Sequence, residues 1–171
     1  METWDALRAR RNVRAFADQS LPADAVDRIL EAGRRSPSSK NEQRWDFVVC
    51  TDRAQLQRLA KAWIYGGHVA GSAATIVLLA PAGGEPGLRE SIHFDLGQVT
   101  MSMMLAAADI GIGSCHSAIA NQDLVRELLG HPADRTAELM ISFGYPADRS
   151  LKPIRNPNRR AFEEVVHLGG W

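Results

Sequence analysis

Apolar positions follow two rhythms along the chain, one suited to helices and one to strands. Thr3 to Arg10 reads as a short helix starting near Thr3 or Asp5. After a loop through Ser20, Ser20-Leu21-Pro22 reads as a helix start, with Ser as cap and Pro in the first turn. Val26, Ile29, Leu30 and Gly33 then mark one face and the end of that helix. Asp46–Cys50 is rich in Phe and Val and predicts a strand. Thr51 or Asp52 caps the next helix, whose stripe is Leu56, Leu59, Ala60 and Trp63, and Gly66-Gly67 breaks it. Thr75–Ala80 is a continuous apolar run of strand length, the pattern of a strand covered on both faces. Pro81–Gly87 is a loop. Ser114–Ile119 predicts a short strand, Asn121 to Leu129 a helix closed by Gly130, and Leu139–Phe143 the last clear strand. Helices and strands mixed in this order predict an α+β fold with a central sheet flanked by helices.

Leu88–Ile110 is the longest predicted helix, ended by Gly111-Ile112-Gly113. Its second half, Val99–Ala108, is apolar or small nearly all round, as expected of a helix buried in a large core or in a subunit interface. A chain of 171 residues has little room to wrap such a helix alone. The expectation is an intertwined homodimer with this helix at the interface. Residues 1–171 are expected to form a single domain, and the polar tail from about 145 to 171 ends in Phe162, Val165, Val166 and Trp171. A polar arm with an apolar tip is expected to dock at a distance, on its own core or on a partner's.

Composition narrows the partners. Twenty basic and twenty acidic side chains cancel, leaving no bulk field for nucleic acid or an anionic membrane. Cys50 and Cys115 match no metal or redox spacing, and the histidines show no metal-ligand spacing, so no metal site is expected. The N-terminus carries no basic-then-apolar leader pattern, and no apolar run reaches the ~20 residues of a membrane span. These features predict a cytoplasmic protein.

Three cationic clusters stand out from this neutral background: Arg10-Arg11-Asn12-Val13-Arg14, Arg34 to Trp45, and Arg155-Asn156-Pro157-Asn158-Arg159-Arg160. Together they point to one bound anion. Each has an ordinary alternative. Arginines at a helix end complement its dipole, and Ser and Asn cap turns. The functional reading is a phosphate held by Arg forks and a heteroaromatic bonded by Ser38, Ser39, Asn41 and Gln43. Cys115-His116 invites a thiolate–imidazole nucleophile, but adjacent strand residues point to opposite faces. The backbone there could instead line a ligand ring. Asp95, among apolar helix residues, reads as a satisfied buried carboxylate or a helix-end partner rather than a general base. Met101, Met103 and Met104 read as core or interface fillers. No Rossmann or P-loop glycine pattern is present.

The order of these segments resembles the flavin-dependent nitroreductase family. Arg10-Arg11-Asn12-Val13-Arg14-Ala15-Phe16 is followed by Ile29-Leu30-Glu31-Ala32-Gly33, then by Ser36-Pro37-Ser38-Ser39-x-Asn41-x-Gln43-x-Trp45. His93-Phe94-Asp95, Gly111-Ile112-Gly113, Gly144-Tyr145-Pro146 and Arg159 to His167 complete the series over nearly the whole chain. The resemblance implies a homodimer with two FMN molecules at the interface. It implies that Arg10, Arg11, Asn12 and Arg14 line the flavin from one subunit, with Arg14 at the pyrimidine edge, where a cation raises the reduction potential. Arg10, Arg159 and Arg160 would hold the phosphate. Pro37, Ser38, Ser39 and Asn41 would come from the other subunit, and the backbone of Cys115, His116 and Ser117 would lie beside the ring. No side chain need act as catalytic acid or nucleophile.

The implied activity is FMN-dependent NAD(P)H oxidation with reduction of a nitroaromatic, quinone or similar small-molecule acceptor, by a ping-pong cycle. A dehalogenase or dehydrogenase on the same fold, or a non-catalytic FMN-binding protein, are the alternatives. Asn12 stands where the family usually has Ser, and Arg44 where Pro is usual. Cys115-His116 is not a strong family pattern, and little sequence is available for a lid.

Overall fold

The computed structural model describes residues 1–171. Four antiparallel strands form one sheet in the order β1 (Asp46–Cys50), β2 (Ala74–Pro81), β4 (Arg135–Gly144), β3 (Gly113–Ala118). The apolar run of β2 is central and fully covered through Ala80, as its composition requires. Its alternate residues feed two cores. Ile76, Leu78 and Ala80, with Ile141 and Phe143 of β4, pack under α2 (Ala23–Arg34) and α5 (Pro86–Asp109). Val77 and Leu79, with Ala137 and Met140, pack against α3 (Arg53–Leu59), α4 (Gly67–Ala70) and α6 (Gln122–Leu129) on the other face. The result is a three-layer α+β arrangement.

Local signals fix most helix ends. Asp52 accepts from Gln55 N at 2.8 Å and caps α3; Asn121 accepts from Leu124 N at 3.0 Å and caps α6, which Gly130 closes at φ 65°. Pro86 opens α5 two residues earlier than the pattern suggested, because its ring already has helical φ and its missing N–H is not needed there. At α2 the expectation fails. Pro22 occupies the cap position with extended backbone, so Ser20 is not the cap. Gly33 does not end α2 either: it is buried inside the helix, and a Cβ there would overlap Met103 of α5. That glycine lets two helices approach closely.

Two elements escaped the pattern. Gly66-Gly67 does not simply break the chain but opens the short helix α4. Strand β4 begins at Arg135, four residues before the clear apolar run, because a bulge interrupts its alternation. Leu78 pairs with Leu139 and Leu79 with Ala137, which leaves Glu138 as the extra residue. Its carboxylate meets Arg89 at 2.6 Å and His93 at 3.2 Å on α5.

Helix α5 is not buried on all sides within one chain. Val99, Met103, Met104, Ala107 and Ala108 face the core, while Phe94 is 71% and Met101 41% exposed on the opposite stripe. The tail divides. Phe16 bridges Pro146, Ile154 N donates to Arg8 O at 3.0 Å, and Leu151 is buried beside Val13 and Ala108, so this part packs on its own chain. Beyond it, Phe162, Val165, Leu168 and Trp171 are exposed. No helix is long and apolar enough to cross a membrane.

Candidate functional site

The N-terminal segment is laid against β3 by backbone bonds. Val13 N donates to Ser114 O at 2.9 Å, and Asn12 forms an isolated parallel bridge with Ser114. The approach is so close that a Cβ on Gly113 would lie 2.8 Å from Val13. This seating places Arg10 at the C-terminal end of α1 (Thr3–Ala9) and Arg14 beside the start of β3.

Arg10 lines two cavities. One, of about 370 Å³, is walled by Trp4, Arg8, Arg10, Arg155 and Arg159 among others, with no acidic residue in its lining. The other, of about 310 Å³, joins Arg10 to His116 and to Gly97, Thr100, Met101 and Met104 of α5. Neither Arg10 nor Arg14 has a carboxylate partner or a side-chain hydrogen bond, whereas Arg28, Arg34, Arg58, Arg89 and Arg135 are all paired. Of the four arginines in the first cavity, Arg8 meets Asp5 at 3.6 Å and Arg159 donates to Asn158 O at 2.8 Å, while Arg10 has no partner; four guanidinium groups converging on one concave surface fit an anion such as a phosphate. Arg159 lines the same cavity as Arg10. Arg160 is not among the lining residues; it turns to Glu164, donating to its carbonyl at 2.7 Å and its carboxylate at 3.3 Å. Arg11 donates to Ser150 O at 2.8 Å and Lys152 O at 3.4 Å, and so fastens the tail.

The register of β3 and β4 sorts the next group. Cys115 pairs with Ser142 and Ser117 with Met140, so both turn to the face covered by α4 and α6. His116 turns to the α5 side and is exposed. Burial raises the Cys115 thiol, with Arg14 opposing, so Cys115 is a packed thiol rather than a ready nucleophile. Ser117 Oγ is sealed without a partner.

Pro37, Ser38 and Ser39 line a third cavity, of about 570 Å³, with Glu90, Phe94, Asp95 and Gln98 of α5. The loop is held in an unusual shape. Lys40, Asn41 and Gln43 all have positive φ, at 53°, 57° and 50°, a conformation rare for residues other than glycine. Ser38 Oγ accepts from Gln43 N at 3.0 Å, and Asn41 accepts from Gln43 Nε2 through both its backbone and side-chain oxygens. Asp95, buried on α5, takes the Ser39 N–H. Within one chain Pro37, Ser38 and Ser39 line one cavity and Arg10 the other two, while Arg11, Asn12, Arg14 and Asn41 line none of the three.

Sequence reasoning passed over Arg8 and Arg155, which share the arginine-lined cavity. Arg155 lay within a recognised cluster, but only the fold shows that it faces Arg10. It also passed over His68, which is buried beneath β4. Burial, then Arg14 and His116, lower its pKa, so the three groups lie within electrostatic reach.

Known proteins share this architecture. A protein of Archaeoglobus fulgidus, provisionally named NADH dehydrogenase/NAD(P)H nitroreductase, is 29% identical over 178 residues, covering 99% of each chain. The FMN reductase (NADPH) of Bacillus subtilis is 25% identical over 96% of this chain and 74% of its own. The solved structure of an FMN-dependent nitroreductase from Clostridium difficile superposes with a TM-score of 0.83 at 24% identity, covering 97% of this chain and 98% of that one. The Nitroreductase family profile matches residues 7–66 and 64–145, most of the chain. The chain belongs to the Nitroreductase family.

Proposed function

We propose that the protein is an FMN-dependent NAD(P)H oxidoreductase that reduces a nitroaromatic, quinone or similar conjugated acceptor by a ping-pong cycle. The observation that carries this reading is Arg10, unpaired and shared by the arginine-lined cavity and the His116 cavity. Arg8, Arg10, Arg155 and Arg159 would hold the phosphate, and Arg14 would meet the pyrimidine edge. FMN reductase and FMN-dependent nitroreductase relatives support FMN as the group held. The flavin, when bound, supplies the redox chemistry, accepting hydride from the nicotinamide and passing electrons to the acceptor. The protein's part is binding, orientation and charge.

A homodimer completes this reading. The loop Pro37–Asn41 and the Arg10–Arg14 cluster would then join across two copies, with the exposed Phe94 and Met101 stripe of α5 as contact surface. The apolar end of the tail would leave solvent by docking on the partner. A groove of about 730 Å³ between α2 and the edge strand β1, lined by Leu30, Trp45, Phe47 and Val49, offers it a seat.

The test is a visible spectrum of the protein after FMN is added and the excess removed, with the mass measured by light scattering. A flavin band near one per chain on a dimer, bleached by NADH or NADPH, is expected. No retained flavin would overturn the reading. Retained flavin without bleaching would leave a binding protein.

A further inference from the structure

After β4 the chain returns as an irregular strap beside α1. From Ser150 to Arg159 only three hydrogen bonds tie it to the rest of the molecule, one from Ile154 and two from Arg11. Ile154 N donates to Arg8 O at 3.0 Å. Arg11 Nη2 donates to Ser150 O at 2.8 Å and Nη1 to Lys152 O at 3.4 Å. These two carbonyls flank Leu151, whose side chain is buried with Val13 and Ala108. Arg11 and Val13 therefore hold the same short stretch, one by its backbone and the other by its side chain. Just beyond it, Arg155, Pro157 and Arg159 reach the cavity that Arg8 and Arg10 line.

Arg10 and Arg11 are neighbours with different tasks. Arg10 faces the cavities, while Arg11 faces the strap and lines neither of them. A planar guanidinium suits this task, because two of its N–H groups can reach two carbonyls at once. Both bonds are exposed, so they exchange with water and add little to the stability of the whole fold. Their effect falls on the strap, which has no ladder of its own and few contacts to resist local opening. Without Arg11, the strap would be held by Ile154 N and the Leu151 side chain. The cost of ordering Arg155 and Arg159 would then subtract from the free energy of ligand binding.

We infer that Arg11 is a positioning residue for the phosphate end of the cofactor. It does not touch the ligand but holds the strap so that Arg155 and Arg159 stand beside Arg10. This role rests on the FMN reading above, and it differs from the place beside the flavin that the family resemblance implies for Arg11. It selects by chemistry: Arg11 strengthens the binding of a flavin that carries a phosphate and leaves one without it unaffected.

The test uses the full-length protein, Arg11→Ala, the double variant Arg155→Ala/Arg159→Ala and the triple variant that combines them. Without flavin, Arg11→Ala is expected to speed amide hydrogen exchange at Ile154 and to leave the melting temperature close to that of wild type. It is expected to weaken FMN about five- to tenfold, the scale of one or two exposed hydrogen bonds, and riboflavin by less than about twofold. The phosphorus-31 signal of bound FMN should move toward its value in free FMN. In the double-variant background Arg11→Ala is expected to weaken FMN no further, because its effect runs through the two arginines already removed. A loss of undiminished size in that background would mean that Arg11 meets the phosphate itself, and would overturn the inference. Equal losses of FMN and riboflavin in Arg11→Ala, or unchanged FMN affinity, would overturn it too, as would unchanged exchange at Ile154. All of these outcomes leave the FMN reading intact. Failure of the wild-type protein to bind FMN at all would overturn that reading, and this inference with it.

Discussion

Both carboxylate oxygens of Asp95 face the backbone N–H of Ser39, at 3.2 and 3.1 Å, and this contact ties the longest helix to the most strained loop in the chain. Asp95 is only 4% exposed. The left-handed residues Lys40, Asn41 and Gln43 each cost free energy that the surroundings must offset. A charge-assisted bond from α5 is one such offset. Asp95→Ala is expected to destabilise the protein by about 1–3 kcal/mol and to speed hydrogen exchange at residues 38–43. Asp95→Asn keeps an acceptor oxygen and should lose less. Equal exchange in the loop of Asp95→Ala and wild type would show that the loop holds its shape without the helix.

The arginine-lined cavity separates residues that sequence alone had grouped. Arg10 and Arg159 share it, while Arg160 is committed to Glu164. Arg10→Ala and Arg159→Ala are each expected to weaken FMN by about ten- to a hundredfold, the range of a charge-assisted hydrogen bond. Riboflavin, which lacks the phosphate, should be affected much less. Arg160→Ala should change neither by more than about twofold, since an exposed ion pair contributes little. Titrating both ligands by flavin fluorescence decides it. A larger loss in Arg160→Ala than in Arg159→Ala would contradict this assignment.

Arg14 makes a different prediction, because its effect is on charge rather than affinity alone. With no anion of its own, its guanidinium would favour the reduced, more negative flavin. Arg14→Ala is expected to lower the two-electron potential of bound FMN by roughly 30 mV, the equivalent of about 1.4 kcal/mol. An unchanged potential would remove Arg14 from the pyrimidine edge.

Much of this was legible from local rules. The capping of α3 and α6, the buried run of β2 and the length of α5 all follow from residues whose local preference and tertiary role agree. The failures come from long-range packing. Gly33 looks like a helix terminator, yet its missing Cβ serves Met103 some seventy residues later. Glu138 breaks the alternation of β4 because a bulge turns it toward Arg89 and His93. The seat of Arg8 and Arg155 beside Arg10 depends on how the tail returns to α1, which no window of sequence contains. His68 gave no spacing signal because its partner Ser142, and the Thr75 and Ser72 hydroxyls linked to it, are ordinary strand and turn residues until the sheet aligns them.

The close approach at Gly33 can be measured directly. In an isolated helix, Gly→Ala is favourable by about 1 kcal/mol. Here the added methyl would overlap Met103, and overpacking of this kind costs about 1–3 kcal/mol. Gly33→Ala alone is therefore expected to lower the melting temperature, whereas in a Met103→Ala background it should raise it. The opposite signs in a double-mutant cycle would establish the contact; stabilisation by Gly33→Ala in both backgrounds would refute it.

His68 gives the fold a pH dependence. Its folded pKa lies below the ordinary 6.5 because burial, and then the Arg14 and His116 charges, disfavour the imidazolium. The unfolded chain then binds more protons than the folded one as pH falls below about 6.5. The contribution of the neutral imidazole is therefore fully present above that pH and is lost as pH drops toward the folded value. Denaturant unfolding between pH 7.5 and 5 should show wild-type stability falling in this range, and less steeply in His68→Phe. Parallel curves for the two proteins would mean that His68 titrates alike in the folded and unfolded chain, and that neither burial nor the neighbouring cations hold it neutral.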